Sequence, residues 1–442
     1  MSDTISKKIS PAFWVPTLYT AEGLPFVIVN VVSVLMYKDI SLMLKSKGLP
    51  SIPDSQIALF TTLAAWPWML KPLWAPFLEM FKTKKYFVVA TQFFGGICLG
   101  LLGLVLKLPD FFQWSLILFG IIAFTYATHD IAADGVYISM LSQKDQSRYV
   151  GWQGAFYNVG KVLSQGVFVI IAGYLEVRIG VTGGWMAVMM MFGAFMVLVS
   201  LYHVKMLPTG GSAGKVKSLH ETLVTFGDVV KTFFEKKYIW WDIIFLVFYR
   251  FAEGQGIKIF PLFMRAPRIQ GGLGLPVEEI GVLYGVFPPI AFIVGSILAG
   301  YFTARIGLKK SLLTLCAFFN VPFAAYAFLA ITQPTSTLVI GVAVVIEYFG
   351  YGFGFVGLVL FVMHQVAPGK YKMAHYAFGS AILAFGFNLP AMFSGYLSDF
   401  LGYKDFFIWV LIATIPSFLV SWLVPFRNAE ADAAEAQIET QG

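Results

Sequence analysis

Charged side chains make up only 12% of these 442 residues, against roughly 25% in an ordinary soluble domain. That shortage excludes a water-soluble globule of this length, which would lack polar cover for its surface. Cysteine is nearly missing: Cys98 and Cys316 stand far apart, and there are five histidines in all. A disulfide framework and the clustered Cys/His spacing of a zinc site are therefore excluded, and no metal or cofactor is expected. Short segments of alternating polarity are also lacking, so an outer-membrane barrel is not indicated. The Gly350, Gly352, Gly354, Gly357 run has no Gly-Lys-Ser/Thr after it and lies within apolar sequence, so it is not a nucleotide loop.

Apolar sequence fills the space left by charge. The chain is 58% hydrophobic, with 44 Phe and 11 Trp. Stretches of roughly 20 residues, each enough to cross a bilayer, recur twelve times: near 12–36, 56–78, 86–106, 113–140, 149–176, 185–206, 239–264, 278–303, 311–331, 337–363, 374–400 and 405–426. The expected fold class is an all-α polytopic membrane protein. With the N-terminus cytoplasmic, nineteen Lys and Arg fall in inside segments and eight outside (Lys38, Lys45, Lys47, Lys107, Arg178, Arg265, Arg268, Lys404). This bias puts both termini in the cytoplasm and explains the net charge of +7 without a nucleic acid partner. The opening MSDTISKKIS leads into a span without a cleavage signature, so the first helix is expected to serve as insertion signal.

Ala-Glu-Gly occurs as Ala21-Glu22-Gly23 and as Ala252-Glu253-Gly254, in the first and seventh spans. Gly173-Tyr174-Leu175 with Gly180, and Gly395-Tyr396-Leu397 with Gly402, repeat at the ends of the fifth and eleventh. Repeats in matching order predict two six-helix halves, 1–206 and 238–426, and a cytoplasmic tail at 427–442. Between the halves, 207–237 opens Pro-Thr-Gly-Gly-Ser and continues with a Ser218-x-x-Glu221 capping pattern and apolar residues at helical spacing. It reads as a linker carrying an amphipathic helix at the membrane surface. Gly96-x-x-x-Gly100 and Gly281-x-x-x-Gly285 suit close helix approach, and Pro25, Pro67, Pro288, Pro289 and Pro390 suit kinks.

Ionisable groups inside spans are costly and point to function. Asp130 and Asp134 share one face of the fourth span, and two carboxylates so close resist being ionised together, which suits them to hold a proton. Glu22 and Glu253 join them as proton-coupling candidates. Lys161, on the next span, is the expected cationic neighbour of the aspartates. A salt bridge that only fixes helix packing is the plain alternative, and His129 reads equally as a packing residue. Arg250 and Glu253 sit three residues apart and can neutralise one another. Arg250 and Lys258 are candidates to grip a carboxylate or phosphate. Glu347 could pair with either cation or bind a proton. Tyr19, Gln153 and Asn158 complete the substrate-binding candidates. Trp152 suits an interfacial anchor, and Trp66, Trp68 and Trp74 suit packing or lipid.

Twelve spans with a long connector after the sixth resemble the major facilitator superfamily. The loop Gly300-Tyr301-Phe302-Thr303-Ala304-Arg305-Ile306-Gly307-Leu308-Lys309-Lys310 is similar to that superfamily's G-x-x-x-D-R-x-G-R-R signature, with Ala304 in place of the acid. The equivalent loop after the second span keeps Glu79. Glu79 and Arg305 are therefore gating candidates, solvated helix ends being the alternative. Thr128-His129-Asp130-Ile131-x-x-Asp134-Gly135, Met140-Leu141-Ser142 and Glu22-Gly23-Leu24-Pro25 resemble the AmpG muropeptide permeases and related acetyl-CoA transporters, most clearly over 15–175. The resemblance implies proton-driven uptake of a large polar solute, such as an amino-sugar peptide, across a bacterial inner membrane.

The expected function is thus secondary transport by a monomer, with a small polar solute, protons and lipid as partners and no catalytic residues. An exporter of drugs or siderophores is the alternative on the same fold. A membrane-embedded transferase or a non-transporting sensor is the alternative of another class.

Overall fold

The computed structural model describes residues 9–78, 83–210, 219–369 and 371–427, and these contain no β-strand. Among the described residues, nine helices are long and apolar enough to cross a membrane. The other spans are hidden by breaks and by one fusion. In the second span, Asp54–Ala64 gives way to Trp66–Leu70, a 3-10 turn Lys71–Leu73 and Ala75–Leu78. Pro67 and Pro72 remove the amide donors that a continuous helix needs there. The seventh breaks at Arg250 (φ −97°, ψ 5°), between Ile239–Tyr249 and Phe251–Arg265. The eleventh and twelfth follow one another directly within Lys372–Ile412, with a turn at Gly402, and Ile415–Leu423 continues the twelfth. The result is a twelve-helix bundle in two six-helix halves.

The repeated tripeptide performs the same packing task twice. A Cβ on Gly23 would lie 2.3 Å from the Tyr157 carbonyl oxygen, and one on Gly254 would lie 2.1 Å from that of Phe387. Only glycine lets the first span meet the fifth, and the seventh meet the eleventh, this closely. The second repeat matches too. Gly180 (φ 78°, ψ 160°) and Gly402 (φ 75°, ψ 159°) turn the chain identically after the fifth and eleventh spans. Gly173 and Gly395 each touch the opposite half, at Glu278 of the eighth span (2.5 Å from a built Cβ) and Asp54 of the second (2.6 Å). Gly281 and Gly285 likewise seat the eighth span on Ile170 and Gln165 of the fifth.

Two sequence expectations need correction. The first helix does not end near residue 36 but runs as Pro11–Ser46, with a π-helical segment at Ile28–Val32. Lys38, assigned to an outside loop, is therefore buried in the bundle, as is Asp39. The amphipathic helix does form, as Leu219–Phe234, but it docks on protein as well as facing the surface. Phe226 and Phe233 pack on Phe378 (6.3 and 5.3 Å), and Thr232 Oγ1 is 3.3 Å from His375 Nε2, at the start of the eleventh span. Ser218 and the tail beyond Arg427 lie outside the described residues.

Candidate functional site

A cavity of about 700 Å³ lies between the halves. Its N-terminal wall carries Glu22 of the first span, Lys71 and Trp68 of the second, Asp130 and Asp134 of the fourth, and Asn158 and Lys161 of the fifth. Helical spacing brings Asp130 and Asp134 one turn apart on the same wall, as expected. Their cationic neighbour is different from the expected one. Lys71 Nζ donates to Asp130 Oδ2 and forms its ion pair, while the Lys161 ammonium sits over the Tyr157 ring, 5.1 Å from the centroid. The second span lies against the fourth, and its break around Lys71 turns that side chain inward. Glu22 lines the same wall, and its Oε2 is buried without a hydrogen-bond partner among the described residues.

Tyr19 and Gln153 do not line the cavity. They stand behind Asp134 and hold it: Tyr19 Oη donates at 3.1 Å and Gln153 Nε2 at 3.3 Å, both to Oδ1. Tyr19 is one turn from Glu22 and points into its own half, packed edge-on against Tyr137 at 5.8 Å. His129 points away too, into a buried chain linking four spans. Thr17 Oγ1 meets His203 Nε2 (2.9 Å), His203 Nδ1 meets Gln92 Oε1 (2.8 Å), and Gln92 Nε2 meets His129 Nε2 (2.9 Å). The packing reading of His129 is the one that the geometry carries.

On the C-terminal wall, the break at Arg250 sets its guanidinium back toward Glu253. Nε and Nη2 donate to the two carboxylate oxygens at 2.6 and 2.7 Å, and the guanidinium lies over the Phe387 ring at 4.7 Å. Lys258 reaches across the seam to the Asn30 carbonyl oxygen at 3.5 Å. Glu347 joins neither cation. It is buried outside the cavity wall and accepts from Tyr326 Oη at 2.6 Å. Trp68, read from sequence as packing or lipid-facing, lines the cavity. Trp152 is exposed and stays outside it.

Beyond Val34 the cavity ends at a charged seal that sequence reasoning missed. Arg265 of the seventh span donates to Asp39 (Nε–Oδ1 2.8 Å), which also accepts from Trp185 Nε1 at 2.9 Å. Lys38 Nζ is paired with Asp54 Oδ1 at 2.7 Å and bonded to Tyr403 Oη at 3.1 Å, and the Ser55 amide donates to Asp399 Oδ2 at 3.0 Å. Each of these three sets ties one half to the other. At the opposite end the cavity runs toward Tyr376, Ala377 and Ser380, near the start of the eleventh span. Of the gating candidates, Glu79 lies outside the described residues, and Arg305 is exposed at the end of Phe287–Ile306, away from the cavity.

Residues 18–391 match the Major Facilitator Superfamily profile. "Putative transporter AmpG 4" of Rickettsia conorii is 22% identical over 422 residues, covering 90% of this chain and 92% of that one. A bacterial homologue of the human lysosomal transporter Spinster, in an inward-facing and unoccupied conformation, superposes with a TM-score of 0.70 at 17% identity, covering 95% and 98% of the two chains. A D-xylose–proton symporter does so with a TM-score of 0.69 at 12% identity, covering 94% and 98%. That profile match covers more than half of the chain, and the chain belongs to the Major Facilitator Superfamily.

Proposed function

We propose that this transporter imports a polar solute, an amino-sugar peptide of the muropeptide kind being favoured, together with protons, across a bacterial inner membrane with both termini in the cytoplasm. The observation that carries it is the acid cluster: Glu22, Asp130 and Asp134 converge on the cavity with Lys71 as the one cation in contact. In this reading the cluster holds one proton. Its loss leaves adjacent charges that Lys71 cannot satisfy alone, and relief comes from rearranging the wall or reprotonating. The halves rock about the cavity, with the Arg265–Asp39 and Lys38–Asp54 seal closed while the cytoplasmic end is open. Similarity to the AmpG relatives supports the solute class, and the Spinster homologue supports the inward-facing assignment. We take transport rather than catalysis as the work of the site, and the halves as 1–206 and 238–426 joined by 207–237.

Asp134→Asn tests the coupling. Asn keeps the shape and can still accept from Tyr19 and Gln153, but it cannot exchange a proton. In proteoliposomes with an imposed pH gradient, the variant should lose accumulation of anhydro-muropeptide, read by mass spectrometry, and keep counterflow exchange. Undiminished gradient-driven accumulation would remove Asp134 from the mechanism.

A further inference from the structure

Eight charged residues line the cavity, and their partners are unevenly shared. Lys71 is paired with Asp130, and Arg250 is held by both oxygens of Glu253. Asp134 accepts from Tyr19 and Gln153. Two cations remain, Lys161 and Lys258. Among the described residues, neither has a carboxylate within ion-pair distance. Lys161 has aromatic faces beside it, Tyr157 at 5.1 Å and Phe292 at 5.9 Å. Lys258 is 5% exposed and has the Asn30 carbonyl at 3.5 Å, the long end of hydrogen bonding. A buried ammonium with so few acceptors is unfavourable unless something charged completes its surroundings.

Both lysines also reach over the seam. Lys161 belongs to the fifth span and meets Phe292 of the eighth. Lys258 belongs to the seventh and meets Asn30, in the π-helical segment Ile28–Val32 of the first. A π-helical turn rearranges backbone carbonyls away from regular pairing and is common at functional sites. An anion entering here would be held from both halves at once.

We propose that Lys161 and Lys258 are the two arms of a clasp for the anionic group of the transported solute, a carboxylate or a phosphate. This rests on the transport reading of the cavity and adds the charge of the cargo. The clasp uses groups other than the acid cluster, so cargo and proton occupy separate groups in one cavity. An anion drawn between arms from opposite halves favours their approach, which links occupancy to rocking.

The test uses three hexosamines that differ in charge: neutral N-acetylglucosamine, N-acetylmuramic acid with its carboxylate, and N-acetylglucosamine 6-phosphate. Binding is measured by calorimetry on the full chain in nanodiscs, at fixed pH and ionic strength. At least one anionic sugar should bind ten or more times tighter than the neutral one, and the better of the two assigns carboxylate or phosphate. That advantage should vanish in Lys161→Gln/Lys258→Gln and survive in Lys258→Arg. If the double variant does not fold, the single Lys258→Met should reduce the advantage at least threefold. Equal or absent binding of all three by the wild type, or an anion preference that persists without the lysines, overturns the clasp. Lysine-dependent anion binding without solute-driven proton movement would keep the clasp and refute proton coupling. Proton-coupled uptake of the neutral sugar alone would do the reverse.

Discussion

Gly23→Ala and Gly254→Ala should each destabilise the bundle, whereas the same change at Gly100 or Gly120 should not. An added Cβ would sit 2.3 Å from the Tyr157 oxygen and 3.1 Å from its carbonyl carbon at Gly23, and 2.1 and 3.0 Å from the corresponding Phe387 atoms at Gly254. Ordinary contact begins near 3.4 Å, so each methyl requires the helices to separate by about 1 Å. The obstacle is backbone and cannot rotate aside. Overpacking of this kind costs about 1–3 kcal/mol, partly offset by the ~1 kcal/mol that alanine gains over glycine in a helix. The expected net loss is up to about 2 kcal/mol. At Gly100 and Gly120 nothing lies within 4 Å of the built Cβ. Only the helix-propensity gain remains there, so stability should rise by up to about 1 kcal/mol.

Thermal unfolding in one detergent, followed by intrinsic tryptophan fluorescence, compares the four variants with wild type. Gly23 and Gly254 meet different partners, Tyr157 and Phe387, so the two changes should add nearly independently in the double variant. The reasoning is refuted if either seam variant melts at or above wild type, or if Gly100→Ala falls as far as Gly23→Ala. A signed difference between chemically identical changes separates close helix approach from a general intolerance of larger side chains.

Two further outcomes follow from where charges sit. Glu347→Gln should retain most transport, because Glu347 is outside the cavity and Gln can still accept from Tyr326; a loss of uptake comparable to Asp134→Asn would return Glu347 to the mechanism. Asp39→Asn should loosen the seal, since Asp39 joins Arg265 to Trp185, and truncating one partner of a buried charge pair costs about 2–5 kcal/mol. Every 1.4 kcal/mol shifts the open-to-closed ratio tenfold. A single cysteine at Val34, with Cys98 and Cys316 changed to Ser, should react at least tenfold faster with an impermeant maleimide applied from the Lys38 side, and an unchanged rate would remove Asp39 from the seal.

The bundle was legible because lipid leaves so strong a mark on composition, and the acid cluster because carboxylates stand out against it. Partner choice was less legible. Chain proximity pointed Asp130 toward Lys161 on the next span, whereas in space the second span supplies Lys71 from its 3-10 turn. Pro67 and Pro72 around that lysine were the available signal: a cation at a helix break has backbone freedom to turn inward. The seal was hidden for a different reason. Lys38-Asp39 looks like the start of a loop when read along one helix. Its burial depends on Asp54 and Tyr403 on one side and Arg265 and Trp185 on the other, which come from four other segments. No local pattern reports such a meeting.

The two Ala-Glu-Gly copies separate what duplication preserves from what it releases. Gly23 and Gly254 kept one task, because the helix contact in each half leaves no room for a side chain. Glu22 and Glu253 diverged, because the residue one turn before each is different. Tyr19 turns away to support Asp134, which leaves Glu22 on the cavity wall with Asp130 and Lys71. Arg250 folds back and occupies both oxygens of Glu253. Arg250 stands at the break of its own helix, where movement needs the fewest hydrogen bonds broken. On the proposed function the N-terminal half handles the proton, and the C-terminal half changes shape. A cycle that couples the two needs a group felt by both halves, and an anion between Lys161 and Lys258 would meet that requirement.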